Sequence, residues 1–240
     1  MNLLFLVEGA ITEDRTYRAW ISHLFPHLNF AAKPEDAITN SYRIIRGNGY
    51  PSIFSASKIY GSISPLEACL NDIKNYNNVD HFFICLDAEE DTYQARFDEI
   101  NVRLESLKIK VGIEPSQSTE FHIIIQNCCV ETWFLGNAEI PIKNTPKQRK
   151  KFSDFQTHYN ILVNDPELMI DHPPNYYHRT KAKFHKAYLK EYLEEFGLRY
   201  IQSSATIITE KEYLEALIER CKSTNHLSSL KYLLDILDKM

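Results

Sequence analysis

Residues 2–13 read NLLFLVEGAITE: an unbroken apolar run from Leu3 to Val7, then Glu8-Gly9, then Thr12-Glu13. Five consecutive apolar side chains leave no face for solvent, so the run reads as a short strand, Asn2 to Val7, buried on both sides. Beyond the polar turn, Tyr17, Trp20, Ile21 and Leu24 repeat at helical spacing up to Pro26, with Thr12 placed to cap the helix. A doubly buried strand that runs directly into an amphipathic helix is the unit from which parallel sheets are assembled.

The same alternation recurs along the chain. Tyr42 to Arg46 predicts a second strand, followed by a loop through Gly47, Gly49 and Pro51. Ser64-Pro65-Leu66-Glu67 is a helix start, with a capping serine, proline at the first helical position and glutamate at the capping-box position. His81 to Leu86 is a third buried strand, ending in Asp87. Tyr93, Phe97, Ile100, Leu104 and Leu107 then mark one face of a long helix. Phe121 to Ile125 predicts a fourth strand, which leads through Gln126-Asn127 into a short helix around Glu131 to Leu135. The order β-α-β-α-β-α-β predicts an α/β fold, a doubly wound and mostly parallel sheet of about four strands.

From about Glu139 the character changes to proline-bearing loops, a basic and aromatic patch and helices. Those helices carry Tyr188, Tyr192 and Phe196; Tyr213, Leu217 and Ile218; and Leu227, Leu230, Leu234 and Leu237. Thr209 with Glu212 is expected to cap the penultimate helix, and Arg199 to Gln202 to add a strand. The organisation expected is a sheet domain over residues 1–138 and a mainly helical, partly basic C-terminal extension over 139–240.

Composition excludes several classes. Across 240 residues the hydrophobic share is 44% and the charged share 25%, with only 7 glycines, which rules out disordered and collagen-like chains. No apolar run approaches the roughly 18 residues of a membrane helix. No basic region precedes the first apolar run, which stops at Glu8, so it reads as a strand rather than a secretory signal, and the expected location is cytoplasmic. Five cysteines, an odd number set in apolar patterns, suit reduced core thiols; the adjacent Cys128 and Cys129 lack the spacing of a zinc site.

The net charge of −5 is uneven. Residues 141–190 hold ten Lys and Arg against four acids, a balance of +6. An acidic body with a basic segment suits a metal-dependent enzyme acting on a polyanion. Lys143, Lys147, Arg149, Arg179, Lys181 and Lys183 are the candidate phosphate contacts, and Tyr176 and Tyr177 beside them are candidates to stack on unpaired bases. A solvated basic surface, with the tyrosines packed on helices, is the plainer reading.

In open parallel sheets ligands bind outside the carboxyl ends of the strands. Glu8 follows the first strand, Asp87 and Glu89 the third, and Glu131 lies a few residues beyond the fourth. Carboxylates gathered at one edge repel unless a cation joins them, and hard oxygen ligands suit Mg²⁺ or Mn²⁺. Glu13, in the first turn of its helix, is a further ligand candidate. Against this stands the ordinary preference of acids for helix N-termini. His122, within a strand, reads as a core histidine.

These residues carry a family resemblance. LLFLVEGAITE, residues 3–13, resembles the opening strand and Glu-Gly turn of Toprim-like domains, and its E-G-x-x-T-E spacing is similar to the start of RloB-like proteins. Asp87-Ala88-Glu89 stands where that fold has a D-x-D motif, here with Glu in the second position. Residues 127–135, NCCVETWFL, resemble the N-P-C-F-E-x-W-L-L signature of the same group without its proline. The resemblance spans about residues 1–137. It implies a Toprim fold and a metal-dependent nuclease of the OLD-family or RloB-like type, often connected with bacterial defence against phage. By the same match Glu8, Asp87 and Glu89 correspond to the Toprim acids, and Glu13 and Glu131 to additional family acids.

Some members of the group work with an ATPase encoded beside them. This chain has no G-x-x-x-x-G-K-[ST], so such a partner would be a separate protein. Three functions follow: phosphodiester hydrolysis of DNA or RNA, with Glu8, Asp87, Glu89 and Glu131 as catalytic acids; a catalytically inactive Toprim-like module that binds a protein or nucleic acid; and a small-molecule phosphotransferase or phosphatase using Asp87 as nucleophile.

Overall fold

In the computed structural model the opening apolar run forms β1 (Asn2–Val7), and every residue of it is buried. The structure describes residues 1–169, 171–174, 176, 180–201 and 206–240. After β1 come α1 (Thr12–Leu24), β2 (Asn29–Phe30), β3 (Ser41–Arg46), α2 (Pro65–Tyr76), β4 (His81–Asp87), α3 (Tyr93–Val111) and β5 (Glu120–Gln126). The five strands form one open parallel sheet in the order β2-β3-β1-β4-β5. Phe5 pairs with Ile44 on one side and Phe83 on the other, and the Phe5 and Phe83 rings stack with centroids 4.4 Å apart. Full burial of each such side chain contributes about 1.5–3 kcal/mol, so the apolar runs commit these strands to the centre of the sheet.

The sheet has one strand more than expected. β2 is two exposed residues pairing with Ser41 and Tyr42, too short for any hydrophobic period to announce it. Phe30 is nevertheless held there, with the Arg18 guanidinium 3.6 Å from its ring centroid. One expected cap is corrected in this part of the chain. Ile11, not Thr12, holds the N-cap position of α1, and Thr12 is its first helical residue. The Ser64 cap of α2 does form: its hydroxyl accepts the Glu67 N–H at 3.1 Å, while the Glu67 carboxylate pairs outward with Lys110.

Beyond β5 the chain forms α4 (Val130–Phe134), α5 (Ile140–Lys143), α6 (Lys150–His158), α7 (Lys181–Glu195), α8 (Lys211–Thr224) and α9 (Ser228–Leu237). Glu210, not Thr209, precedes α8; the Thr209 hydroxyl donates instead to the Thr206 carbonyl at 2.7 Å within a short 3₁₀ turn. Arg199, Tyr200 and Ile201 are not in a strand, and Gln202 lies outside the described residues.

Two compact units account for the chain: residues 1–86 with 94–124, and residues 87–93 with 125–240. The compositional change near residue 139 therefore falls inside the second unit. The first unit is organised by the sheet. The second is organised by aromatic side chains: Phe155, Phe184 and Tyr188 pack with centroids 5.0–5.7 Å apart, and Phe152 stacks on Tyr192 at 5.9 Å. The tyrosine hydroxyls find partners too, since Tyr188 donates to the Tyr159 carbonyl at 2.7 Å and Tyr213 to that of Phe134 at 2.7 Å. No helix among the described residues is long and apolar enough to cross a membrane.

Candidate catalytic carboxylates

In the first unit, the end of β1 is wrapped by the loop after β3. The Val7 carbonyl accepts the Gly47 N–H at 2.7 Å, the Glu8 carbonyl accepts the Gly49 N–H at 2.9 Å, and the Glu8 carboxylate accepts the Tyr50 N–H at 3.1 Å. The Glu8 N–H itself donates to the Cys85 carbonyl of β4 at 3.1 Å. Glu8 is thus buried, its backbone is held from both neighbouring strands' sides, and its carboxylate meets the Tyr50 N–H. Tyr50 is anchored in turn: the Arg96 guanidinium lies 3.8 Å from its ring centroid, and its hydroxyl donates to Glu99, which also accepts from Arg96 and Arg103. The Tyr50 hydroxyl is shifted toward higher pKa by burial and by the Glu99 carboxylate.

Glu13 folds back over the same turn. Its carboxylate accepts the Gly9 N–H at 2.9 Å, and a Cβ at residue 9 would stand 1.6 Å from Glu13 Oε2, so only glycine admits this approach. The neighbouring Asp14 is occupied structurally, paired with Arg18 at 3.2 Å and Arg46 at 3.0 Å.

In the second unit, Asp87 accepts the Val130 N–H at 3.1 Å, and strand-like pairing continues past it: Ala88 N–H donates to the Gln126 carbonyl at 2.9 Å and Glu89 N–H to that of Cys128 at 2.8 Å. Glu89 is exposed and left-handed, with φ of 53°. Glu131, the second residue of α4, is buried; its carboxylate accepts the Tyr200 hydroxyl at 2.9 Å and lies 3.9 Å from Lys186 Nζ. Asp87 and Glu131 are brought to the same helix start, around Cys129. That thiol is held well above its ordinary pKa by its hydrogen bond with Cys128, by burial and by the charges of both acids.

No protein-family model, curated protein or solved structure matches the chain. Among the described residues, two groups of three side chains hold potential metal-ligating atoms within 4.8 Å of one another: Cys128, Cys129 and His185, all buried, and His81, Glu120 and His122. The expected carboxylates belong to neither group.

The first group is a closed hydrogen-bond network. The Thr132 hydroxyl oxygen accepts the N–H groups of Cys128 and Cys129, both at 3.2 Å, and lies 2.7 Å from His185 Nδ1; His185 Nε2 lies 3.0 Å from the Met169 carbonyl. A carbonyl only accepts, so the ring proton sits on Nε2 and Thr132 donates to Nδ1. Burial pushes the His185 pKa down to about 4, which keeps the ring neutral. All five cysteines are free and buried, as the apolar patterns around them predict.

The basic segment is less open than a count along the chain implies. Arg149 pairs with Glu191 at 2.9 Å and Glu194 at 2.8 Å, Lys151 with Glu191 at 2.8 Å, and Lys143 with Glu139 at 3.5 Å. The acids on α7 begin one residue past the counted window, at Glu191. Lys147 and Lys183 are exposed; Lys181 is half-buried and its N–H donates to Glu90 at 2.7 Å. Tyr176 packs edge-on against Phe155 and Phe184, with centroids 5.9 and 5.0 Å away, while Tyr177 and Arg179 lie outside the described residues.

Tyr50, Arg96, Tyr200 and Lys186 surround the expected acids without having been singled out by sequence. Each is brought in from a distant segment; the loop through Gly47 and Gly49 was legible as a loop, but nothing in it told that it would cover the end of β1.

Proposed function

We propose that the protein is a divalent-metal-dependent nuclease with a Toprim-like catalytic domain and a C-terminal extension, cleaving phosphodiester bonds of DNA or RNA in the cytoplasm. On the RloB-like resemblance, it serves as an effector of phage defence alongside a separately encoded ATPase. The observation that carries this reading is the parallel pairing of β1 with β4. Val7 lies opposite Cys85, so β1, which Glu8 follows, and β4 run side by side to their carboxyl ends, the edge at which open α/β sheets take their ligands.

On the Toprim-like resemblance, Glu8, Asp87, Glu89 and Glu13 would be the residues that hold Mg²⁺ or Mn²⁺, and hard oxygen donors suit either ion. When bound, the ion supplies an ionisable water and positive charge for the leaving oxygen. The chain's own contribution is positional. The Tyr50 N–H aims the Glu8 carboxylate and the Val130 N–H aims that of Asp87. Glu131, steadied by Tyr200, keeps Lys186 within 3.9 Å as a local cation. The exposed Lys147 and Lys183 offer charge to a polyanion.

The test is Asp87→Ala. Its side chain accepts the Val130 N–H, so the change should cost some stability as well as a ligand, and in the folded protein metal-dependent cleavage should fall by about a hundredfold or more. Undiminished cleavage by a pure, folded Asp87→Ala protein would sink the proposal. A second reading, an inactive module that binds a protein or nucleic acid, is favoured by the engagement of Glu131 with Tyr200 and of Arg149 with Glu191 and Glu194. It predicts no metal-dependent cleavage by the wild-type chain.

A further inference from the structure

At the amino ends of β4 and β5, three side chains converge that no part of the nuclease reading uses. His81 Nδ1 lies 3.2 Å from His122 Nε2, Glu120 Oε2 lies 3.5 Å from His81 Nδ1, and the same oxygen lies 3.9 Å from His122 Nε2. A four-coordinate ion with bonds of about 2.0–2.1 Å separates its ligand atoms by about 3.4 Å. The triangle of 3.2, 3.5 and 3.9 Å brackets that value.

We propose that His81, Glu120 and His122 form a binding site for a divalent transition-metal ion of the Zn²⁺ type, with solvent completing the coordination. Two imidazoles and one carboxylate are a donor set that favours Zn²⁺ over Mg²⁺, since nitrogen ligands are too soft for the harder ion. The three residues share one face of the sheet. Glu120 and His122 are alternate residues of β5, which point the same way, and His81 and Phe83 alternate in the same manner on β4.

The frame around them is firm. The Glu120 N–H donates to the Asp80 carbonyl at 2.8 Å and the Thr119 hydroxyl to the Val79 carbonyl at 2.7 Å, so the start of β5 is locked beside that of β4. His122 stacks on Phe83 with centroids 4.7 Å apart, and its ring is tilted only 23° from that of His81. Ring positions held by packing in this way reduce the rearrangement that binding requires. The site is reachable: the side chains of His81, His122 and Glu120 are 19%, 13% and 68% exposed. Burial and the proximity of His81 shift His122 toward the neutral form, the form that ligates. His185 differs in that its own chain occupies both ring nitrogens.

The experiment is titration of the full chain with Zn²⁺, followed by calorimetry, and with Co²⁺, followed by absorption. The expected result is one Zn²⁺ per chain. Affinity should fall at least tenfold in His122→Gln and in His81→Gln, and the wild-type Co²⁺ complex should lack thiolate charge-transfer absorption. Glu120→Gln, an exposed change that leaves both rings in place, should also weaken binding and guards against misfolding of the histidine variants. Absence of Zn²⁺ binding by the wild type, wild-type affinity in folded His81→Gln or Glu120→Gln, or a thiolate band assigning the ion to Cys128 and Cys129 would each overturn the proposal.

Discussion

The histidines of the two units stand in opposite situations. His185 is fully buried, and Thr132 and Met169 occupy its two ring nitrogens; His81 and His122 face each other and Glu120 at a strand start open to solvent. Two carboxylates show the same difference between closed and open settings, here within the second unit alone. Glu167 is buried and accepts from the Ser228 hydroxyl at 2.8 Å, from the Ser229 N–H at 3.1 Å and from the Ser229 hydroxyl, whereas Glu89 is exposed on a left-handed turn. A buried polar group must find its partners within the chain, so such groups specify structure. A group at an open edge is satisfied by water, which a ligand can replace. Polar side chains in the two settings should therefore fail differently when altered.

Glu167 should show this most strongly. Ser229 also accepts from Trp133 Nε1 at 2.7 Å, so the carboxylate organises the start of α9 and the indole beneath it. Burial shifts Glu167 toward higher pKa, against the pull of the Ser229 and Ser228 hydroxyls. Glu167→Ala leaves those donors unsatisfied and should cost about 3 kcal/mol in denaturant unfolding. A loss below about 1 kcal/mol would mean that the closed network does not specify the fold.

Next comes acid sensitivity. The His185 pKa is about 4 in the folded chain and about 6.5 when unfolded. A depressed folded pKa means stability that is fully present above pH 6.5 and is lost as pH falls toward 4. Between pH 7.5 and pH 5 the loss amounts to roughly 2 kcal/mol. In His185→Gln the pH 7.5 to pH 5 difference should shrink by about that amount. An unchanged difference would show that the buried ring is not what acid attacks.

Surface charge should matter least. If the surface cations hold nucleic acid, replacing Lys147, Lys181 and Lys183 together by Gln should flatten the salt dependence of binding, by up to about 0.9 for each phosphate no longer neutralised. Arg149→Gln should leave that slope unchanged, because its guanidinium already serves Glu191 and Glu194. Equal slopes in both variants and the wild type would erase the distinction between open and internally paired cations.

Four long strands and their order along the chain were legible in the residues alone. Leu3–Val7, Phe82–Leu86 and Ile123–Ile125 bury on both faces whatever surrounds them, because transfer of apolar area from water is additive and needs no particular partner. Ser64 announced α2 for a similar reason: its cap bond spans three residues. Where a local signal competed with an equally local alternative, it failed, as at Thr12 and Thr209, whose neighbours took the cap positions.

The pairing of polar groups had to wait for the folded chain. Thr132 meets His185 across 53 residues, Tyr50 covers Glu8 across 42, and His81 meets His122 across 41. Arg149 finds Glu191 just beyond the stretch whose charge looked unbalanced. Hydrogen bonds and ion pairs are directional and short, so a residue's type states what it can bond but not what folding will bring within about 3 Å of it. β2 belongs with these, since two residues become a strand only when β3 is already there to pair with them.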